Sequence, residues 1–349
     1  MRVALPERPS GRTITAAALI AAVIVAGPLL EAAGQDYWIV TLTRALLLAV
    51  LAVATNIAWG FTGIFTLGQA VFFGLGAYSA GLLGVNAGVD SLFVLEAAAA
   101  GVGLVAGLVI GLFLFSGRRR VGPLYVGLVT LALTYAFERL ANGWAAVGSG
   151  NGISGLPIPL LAGSEVQPGL GFFMLALVVL LVVLGLGVAV TRSQFGLVML
   201  AVRDDDERAE FLGYGRAVVQ LVVFAGTATF ASVAGSLFAL HEGFTSTTFL
   251  GVALSTQVLI YILLGGRGTL VGPVLGVLLL EVGGQRVQES LPSTWPIVIG
   301  SVLLLVILFL PGGLMDLPDR LRRRRTPRTT DDSPPATYVG VSDGDPRSA

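Results

Sequence analysis

The sequence has no cysteine, no lysine and a single histidine, and all 21 of its basic residues are arginine, balanced by 21 acidic ones. Each absence removes a chemistry. Without cysteine there is no disulfide, thiolate metal site or cysteine nucleophile. Without lysine neither a Gly-Lys-Ser/Thr P-loop nor a Schiff base can form, so the chain binds no ATP through a Walker motif of its own. One histidine, His241, cannot make the paired-histidine zinc motif. Charge is scarce too, at 12% of residues against about 25% in an average soluble domain.

What remains is apolar and glycine-rich: 55% of the 349 residues are hydrophobic, 47 are glycine, and the mean hydropathy is +0.86. Several runs reach the roughly 20 residues that cross about 30 Å of hydrocarbon. The pattern predicts an all-α, polytopic transmembrane bundle of about ten spans, at 13–32, 40–59, 63–84, 92–115, 121–141, 169–191, 217–240, 250–264, 269–284 and 297–310. The first follows Arg2, Arg8 and Arg12 but is too long for a signal peptide, and it reads as a retained span. The runs at 250–264 and 269–284 are short, which predicts tilted, re-entrant or partly buried helices. Arginine placement sets the orientation. With both termini cytoplasmic, Arg118 to Arg120, Arg192, Arg203, Arg208, Arg216, Arg267 and the Arg320 to Arg328 cluster all fall inside, while Arg44 and Arg139 lie near outer span ends, where they can snorkel. The expected organisation is a cytoplasmic segment 1–12, a membrane domain 13–316 with a cytoplasmic loop 192–216, and a tail 317–349. The tail is basic and then acidic in sequence, and it is expected to lie beside the lipid headgroups first and to be disordered beyond them.

The segment Phe61 to Gly81 is long enough to span, yet it is built from small residues with Thr66, Gln69 and Tyr78 among them. Glycine lowers helix propensity by about 1 kcal/mol in water, but in lipid it lets helices approach closely. Asn56, Thr130, Thr134, Tyr135, Gln220, Thr256 and Gln257 are further polar residues within apolar spans. Each needs a partner in lipid, so all are expected to face the bundle interior. Asn56, Thr66, Gln69, Tyr78 and Gln257 are the candidates for a translocation pathway, Gln69 first.

The most specific soluble feature is Ala201 to Gly215, whose Arg203-Asp204-Asp205-Asp206-Glu207-Arg208 run is too charged for a plain connector. Asp204 to Glu207 suit a helix N-terminus, and Gly213 or Gly215 can end that helix after two to three turns. A short exposed helix carrying Ala209 and Phe211 is a docking element; the plainer alternative is a solvated loop that only sets topology.

With Asn56 to Leu82, Asn151 to Pro157, Arg203 to Gly213, Leu264 to Pro273 and Phe309 to Leu314 occurring in order, the chain resembles the ABC importer permeases of the branched-chain amino acid type. The resemblance implies a plasma-membrane subunit that works with a second permease, two ATPase subunits and an extracytoplasmic binding protein. ATP and Mg would reside on the ATPases, with no cofactor in this chain and no nucleic-acid partner. Glu207-x-Ala209-x-x-x-Gly213 is similar to a reduced form of the family's coupling motif. That similarity makes Arg203, Asp204, Asp206, Glu207 and Ala209 the ATPase-coupling candidates, with Gly213 fixing the turn back. Gln257 stands where many members carry an acid nearby. The implied cargo is an aliphatic amino acid, with urea or short amides as the rival.

Asn151, Gly152, Ser154, Gly155 and Pro157, in the longest external loop, are candidates for docking the binding protein, or they form an ordered turn. Two other classes remain open. Gly152-Ile153-Ser154-Gly155 with His241 has the elements of an intramembrane serine protease, although Ser154 sits in a polar loop and His241 at the outer end of the seventh expected span, where a structural histidine is ordinary. An ion-coupled transporter would need mid-membrane acids, and Glu31, Glu96, Glu138 and Glu281 all fall near predicted span ends.

Overall fold

The computed structural model describes residues 11–117 and 122–290, with 294, 297, 300, 301, 304, 305, 308 and 313–316 beyond them; side chains are described from Ala18 on, except at 286–289. Arg118 to Arg120, Trp295, the tail 317–349 and most of the expected span 297–310 lie outside the described residues.

The chain forms helices α1 (Gly11–Ala32), α2 (Asp36–Asn56), α3 (Gln69–Gly81), α4 (Leu92–Phe115), α5 (Pro123–Gly143), α6 (Leu170–Arg192), α7 (Gln194–Asp204), α8 (Asp206–Phe211), α9 (Arg216–Glu242), α10 (Val252–Gly265) and α11 (Gly272–Ser290). Two antiparallel pairs of two-residue strands, β1 (Ile153–Ser154) with β4 (Phe244–Thr245) and β2 (Leu160–Leu161) with β3 (Ser164–Glu165), stitch the loops at one end. Among the described residues five helices are long and apolar enough to cross a membrane: Asp36–Phe61, Leu92–Phe115, Pro123–Gly143, Leu170–Arg192 and Arg216–Glu242. Ala18–Ala32, Val252–Gly265 and Gly272–Gln285 are shorter apolar helices. The architecture is therefore a helical membrane bundle.

Helices α2 and α9 form its centre. From Ala45 to Ala54 every side chain of α2 is buried. Helix α9 packs against α3 and α4 through small residues. Gly103, Gly107 and Gly111 recur every fourth residue on α4 and face Ser232, Ala228 and Leu221 in turn, at distances that leave no room for a Cβ. On the other seam a Cβ at Gly76 would overlap the Ser232 carbonyl, and one at Gly235 the Phe73 carbonyl. Lipid is as apolar as leucine, so association here relies on this close van der Waals packing and on hydrogen bonds such as Ser232 Oγ donating to the Ala99 carbonyl at 2.7 Å.

The expected continuous span 63–84 is broken. Helix α2 runs into a π-helical turn, Ile57–Phe61, residues 63–68 are not helical, and α3 begins only at Gln69. Its 13 residues run on through a second π-helical turn, Leu82–Asn86, and the two together rise roughly 25 Å, a little under the hydrocarbon thickness. Irregular backbone at this depth must be buried in protein or line a cavity. Here it is buried against α5: Thr130 Oγ1 accepts from the Leu67 amide at 3.1 Å, and Thr134 Oγ1 donates to the Leu67 carbonyl at 3.0 Å.

Two polar residues expected inside face outward instead. Tyr135 is half-exposed beneath the Arg139 guanidinium, 5.0 Å from its ring centre. Thr256 satisfies its hydroxyl on the Val252 carbonyl of its own helix, so nothing requires it to be buried.

Candidate functional site

Three elements meet where α2 breaks. The Asn56 side chain donates to the Thr269 carbonyl at 2.7 Å and accepts from the Gly268 amide at 3.1 Å, clamping the α10–α11 connection onto the end of α2. A Cβ at Gly60 would crowd the Gly268 backbone, so only glycine allows this approach. From α7, Arg203 Nη1 donates to the Gly60 carbonyl at 2.7 Å. Arg267 lies over the Trp59 ring, 4.7 Å from its centre. A π-helical turn leaves carbonyls poorly matched to helical donors, and the two arginines supply charged ones. Burial, and then the neighbouring Arg203 charge, push Arg267 below its ordinary pKa. Gly313, at φ +71°, packs on the backbone of Gly265 and Gly266 from the far end of the chain.

Arg203 also anchors the charged loop, which holds two helices where one was expected. Ser193 caps α7, which no charge pattern announced. Asp205 caps α8, accepting from the Arg208 amide at 3.1 Å, and Asp204 is the last residue of α7. Helix α8 has six residues, shorter than expected, because the extended backbone of Asp205 starts it only at Asp206, while Gly213 turns the chain at its end with φ +88°. Ala209 faces inward and is buried, so it packs α8 down rather than presenting it. Asp206 pairs with Arg216 at the start of α9, and Asp204 pairs with Arg203 at 3.0 Å. The outward tip is apolar: Phe211 is 86% exposed and Leu212 75%.

Toward the other end of the bundle lies a polar cavity of about 550 Å³ between α2, α9, α10 and α11. Arg44, Gln257 and Glu281 line it together with Phe73, Phe238 and Phe249. Tyr261 donates its hydroxyl hydrogen to Glu281 Oε1, and Gln257 Nε2 donates to the same oxygen at 2.8 Å. The carboxylate of this network thus comes from α11 rather than from α10. Arg44 Nε pairs with Glu242 at 2.9 Å. The sequence predicts Arg44 snorkelling at a span end, yet it lies inside the bundle with a partner on α9. A lone cation within an apolar helix was the available signal. Glu281 is expected near a span end; α11 runs on to Ser290, which puts it midway along the helix.

Of the five pathway candidates, Gln257 alone lines this cavity. Asn56 belongs to the clamp, and Thr66 accepts from the Gly68 amide at 3.1 Å, shaping the break. Tyr78 borders a separate, nearly apolar hollow beside Phe137 and Trp144. Gln69 is buried to 1%, and neither of its amide atoms is hydrogen-bonded among the described residues.

The loop around Asn151 to Pro157, expected to be external, is pinned by its own backbone. Ile153 and Ser154 pair with Thr245 and Phe244, and the amides of Gly155 and Leu156 both donate to the Gly243 carbonyl. A Cβ at Gly152 would overlap the Thr245 carbonyl. Pro157 packs near Gly84, leaving Asn151 and Ser154 at the surface. His241 is buried against Phe172, 5.1 Å between ring centres, and its Nε2 lies 3.4 Å from the Val40 carbonyl. Among the described residues no hydrogen bond joins it to Ser154.

The family model for the permease component of the branched-chain amino acid transport system matches residues 38–309. The chain is 28% identical over 299 residues to the high-affinity branched-chain amino acid transport system permease protein LivM of Salmonella typhimurium, covering 79% of this chain and 69% of the relative. The LivM of Escherichia coli matches to the same extent. The autoinducer 2 import system permease protein LsrC of Klebsiella pneumoniae is 32% identical over 228 residues, 64% of either chain. No solved structure matches.

Proposed function

The chain belongs to the family of permease components of the branched-chain amino acid transport system, and from that premise we propose that it is one membrane-spanning half of an ATP-driven importer of aliphatic amino acids such as Leu, Ile or Val. The observation that carries this reading is the bond from Arg203 to the Gly60 carbonyl. It ties an exposed, apolar-tipped helix pair to the point where α2 breaks, as a subunit moved by an external motor requires. In this reading the α7–α8 end faces the cytoplasm and Phe211 and Leu212 seat on an ATPase subunit, which holds ATP and Mg. Asp204 and Glu207 flank that contact, while Asp206 and Ala209 keep α8 fixed to α9 and the bundle. A push on α8 then reaches Gly60 through Arg203, and the Asn56 clamp carries it on to α10 and α11. The bundle alternates between outward and inward openings as two discrete packings rather than by continuous deformation. A second permease completes the pathway, and an external binding protein docks over Asn151 and Ser154.

The cargo reading leans on the LivM relatives, whose names specify branched-chain amino acids; the LsrC relatives are named for autoinducer 2. Glu281, midway along α11, favours one rival of another class, an ion-coupled transporter with a mid-membrane acid. Titrating the cognate extracytoplasmic binding protein with leucine and with urea tests the cargo. Saturable binding of leucine supports the reading, and binding of urea or a neutral sugar-like ligand without leucine overturns it.

A further inference from the structure

The polar cavity carries charge of both signs on facing helices, with aromatic rings between. Arg44 is on α2, Glu281 on α11, and both line a volume of about 550 Å³, within the roughly 300–1,000 Å³ of small-ligand sites. Hydrogen bonding defines what each group has left to offer. Glu281 Oε1 takes the donors of Tyr261 and Gln257, and Oε2 carries no hydrogen bond among the described residues. A carboxylate only accepts, so the nitrogen of Gln257 must face Glu281, which leaves Gln257 Oε1 as a second acceptor. Arg44 Nε stands 2.9 Å from Glu242 Oε1 as an ion pair without hydrogen-bond geometry, and its two Nη groups remain for a planar anion.

The third component is apolar. The rings of Phe238 and Phe249 stand 5.2 Å apart, and Phe73 lies 5.4 Å from Phe238. The Arg44 guanidinium sits 5.8 Å from the Phe238 centre, so the cation and the aromatic wall are contiguous.

Resting on the importer reading above, we propose that this cavity is a binding station for an α-amino acid zwitterion with an aliphatic side chain. The ligand carboxylate lies on the Nη groups of Arg44. Its ammonium lies between Glu281 Oε2 and Gln257 Oε1, and its side chain packs on Phe73, Phe238 and Phe249. A neutral cargo such as urea would leave the Nη groups of Arg44 and Oε2 of Glu281 without the charged partners that a zwitterion supplies, which is how a polar site rejects analogues lacking its partner groups. The station therefore adds selectivity inside the membrane to whatever the external binding protein provides.

The test uses the whole complex in nanodiscs, without the binding protein. Three radiolabelled probes are bound: leucine, isovalerate, which has the carboxylate but no amine, and isoamylamine, which has the amine but no carboxylate. Arg44→Gln is expected to weaken leucine and isovalerate at least tenfold and to spare isoamylamine. Glu281→Gln is expected to weaken leucine and isoamylamine at least tenfold and to spare isovalerate. A general packing defect cannot produce this crossed pattern. If Glu281→Gln fails to assemble, Gln257→Met tests the amine arm with the carboxylate in place. Equal loss of all three probes in both variants, or no loss in either, overturns the station while leucine transport by the unsubstituted complex leaves the importer reading standing. No leucine uptake by the unsubstituted complex overturns that reading and the station with it.

Discussion

Arg203 and Gly60 are joined by a 2.7 Å hydrogen bond that spans 143 positions of sequence. One end is the last turn of α7; the other is a carbonyl in the π-helical turn that terminates α2. A charge-assisted bond of this kind contributes roughly 1.5–3 kcal/mol, enough to make two elements move as one. Arg203→Gln is expected to lower ATP-driven uptake at least tenfold while the ATPase subunits still co-purify. Arg203→Lys recovers only part of the loss, because an ammonium lacks the guanidinium's fixed fork. Uptake and co-purification measured on the same preparations decide it.

Phe211 and Leu212 are the exposed apolar tip of the same loop. Phe211→Ser is expected to reduce recovery of the ATPase subunits with the complex, since a buried aromatic anchor commonly contributes 2 kcal/mol or more, about thirtyfold in affinity. Gly213→Val should act alike by a different route, because φ +88° suits glycine and strains a β-branched residue. Glu207→Ala should uncouple hydrolysis from uptake. Unchanged recovery and unchanged uptake in all three would remove the docking assignment.

Gly235 lies against the Phe73 backbone where a Cβ would overlap the carbonyl. Gly235→Ala is expected to destabilise the bundle by about 1–3 kcal/mol through overpacking. Gly226→Ala, with open space where its Cβ would stand, serves as the neutral control. Thermal unfolding of the detergent-solubilised complex separates the two.

Gln69 is a buried amide with no hydrogen-bonded partner among the described residues. Leaving such a group unsatisfied costs about 1–3 kcal/mol, so Gln69→Leu is expected to hold or raise the melting temperature. If Gln69 serves the pathway during the cycle, the same variant transports more slowly. A variant that is less stable and transports normally contradicts both expectations.

Much of the fold was legible because lipid imposes it. Runs such as Leu92–Phe115 and Leu170–Arg192 have one reading in a sequence with so little charge. The break before Gln69 was not legible, since the glycines that permit it are the same glycines that allow tight helix contact elsewhere. Helix α7 was missed because its charge lies at its end; its packing faces, through Met199 and Val202, only become visible once α9 and the break are in place. Arg44 and Glu281 were seen singly, as charges near span ends. What joins them is a cavity between helices distant in sequence, and no local pattern encodes that. Gln257 was found because it is a polar residue with no surface to reach.

Uptake of labelled leucine into proteoliposomes tests the central claim most directly. The vesicles contain this chain, its partner permease and the two ATPase subunits, with the binding protein added outside the cargo-facing side and ATP on the α8 side. Uptake is expected to require ATP, to be unaffected by collapsing proton and sodium gradients, and to fall at least tenfold with Arg203→Gln. Uptake by this chain without any ATPase subunit, driven by an ion gradient, would contradict it.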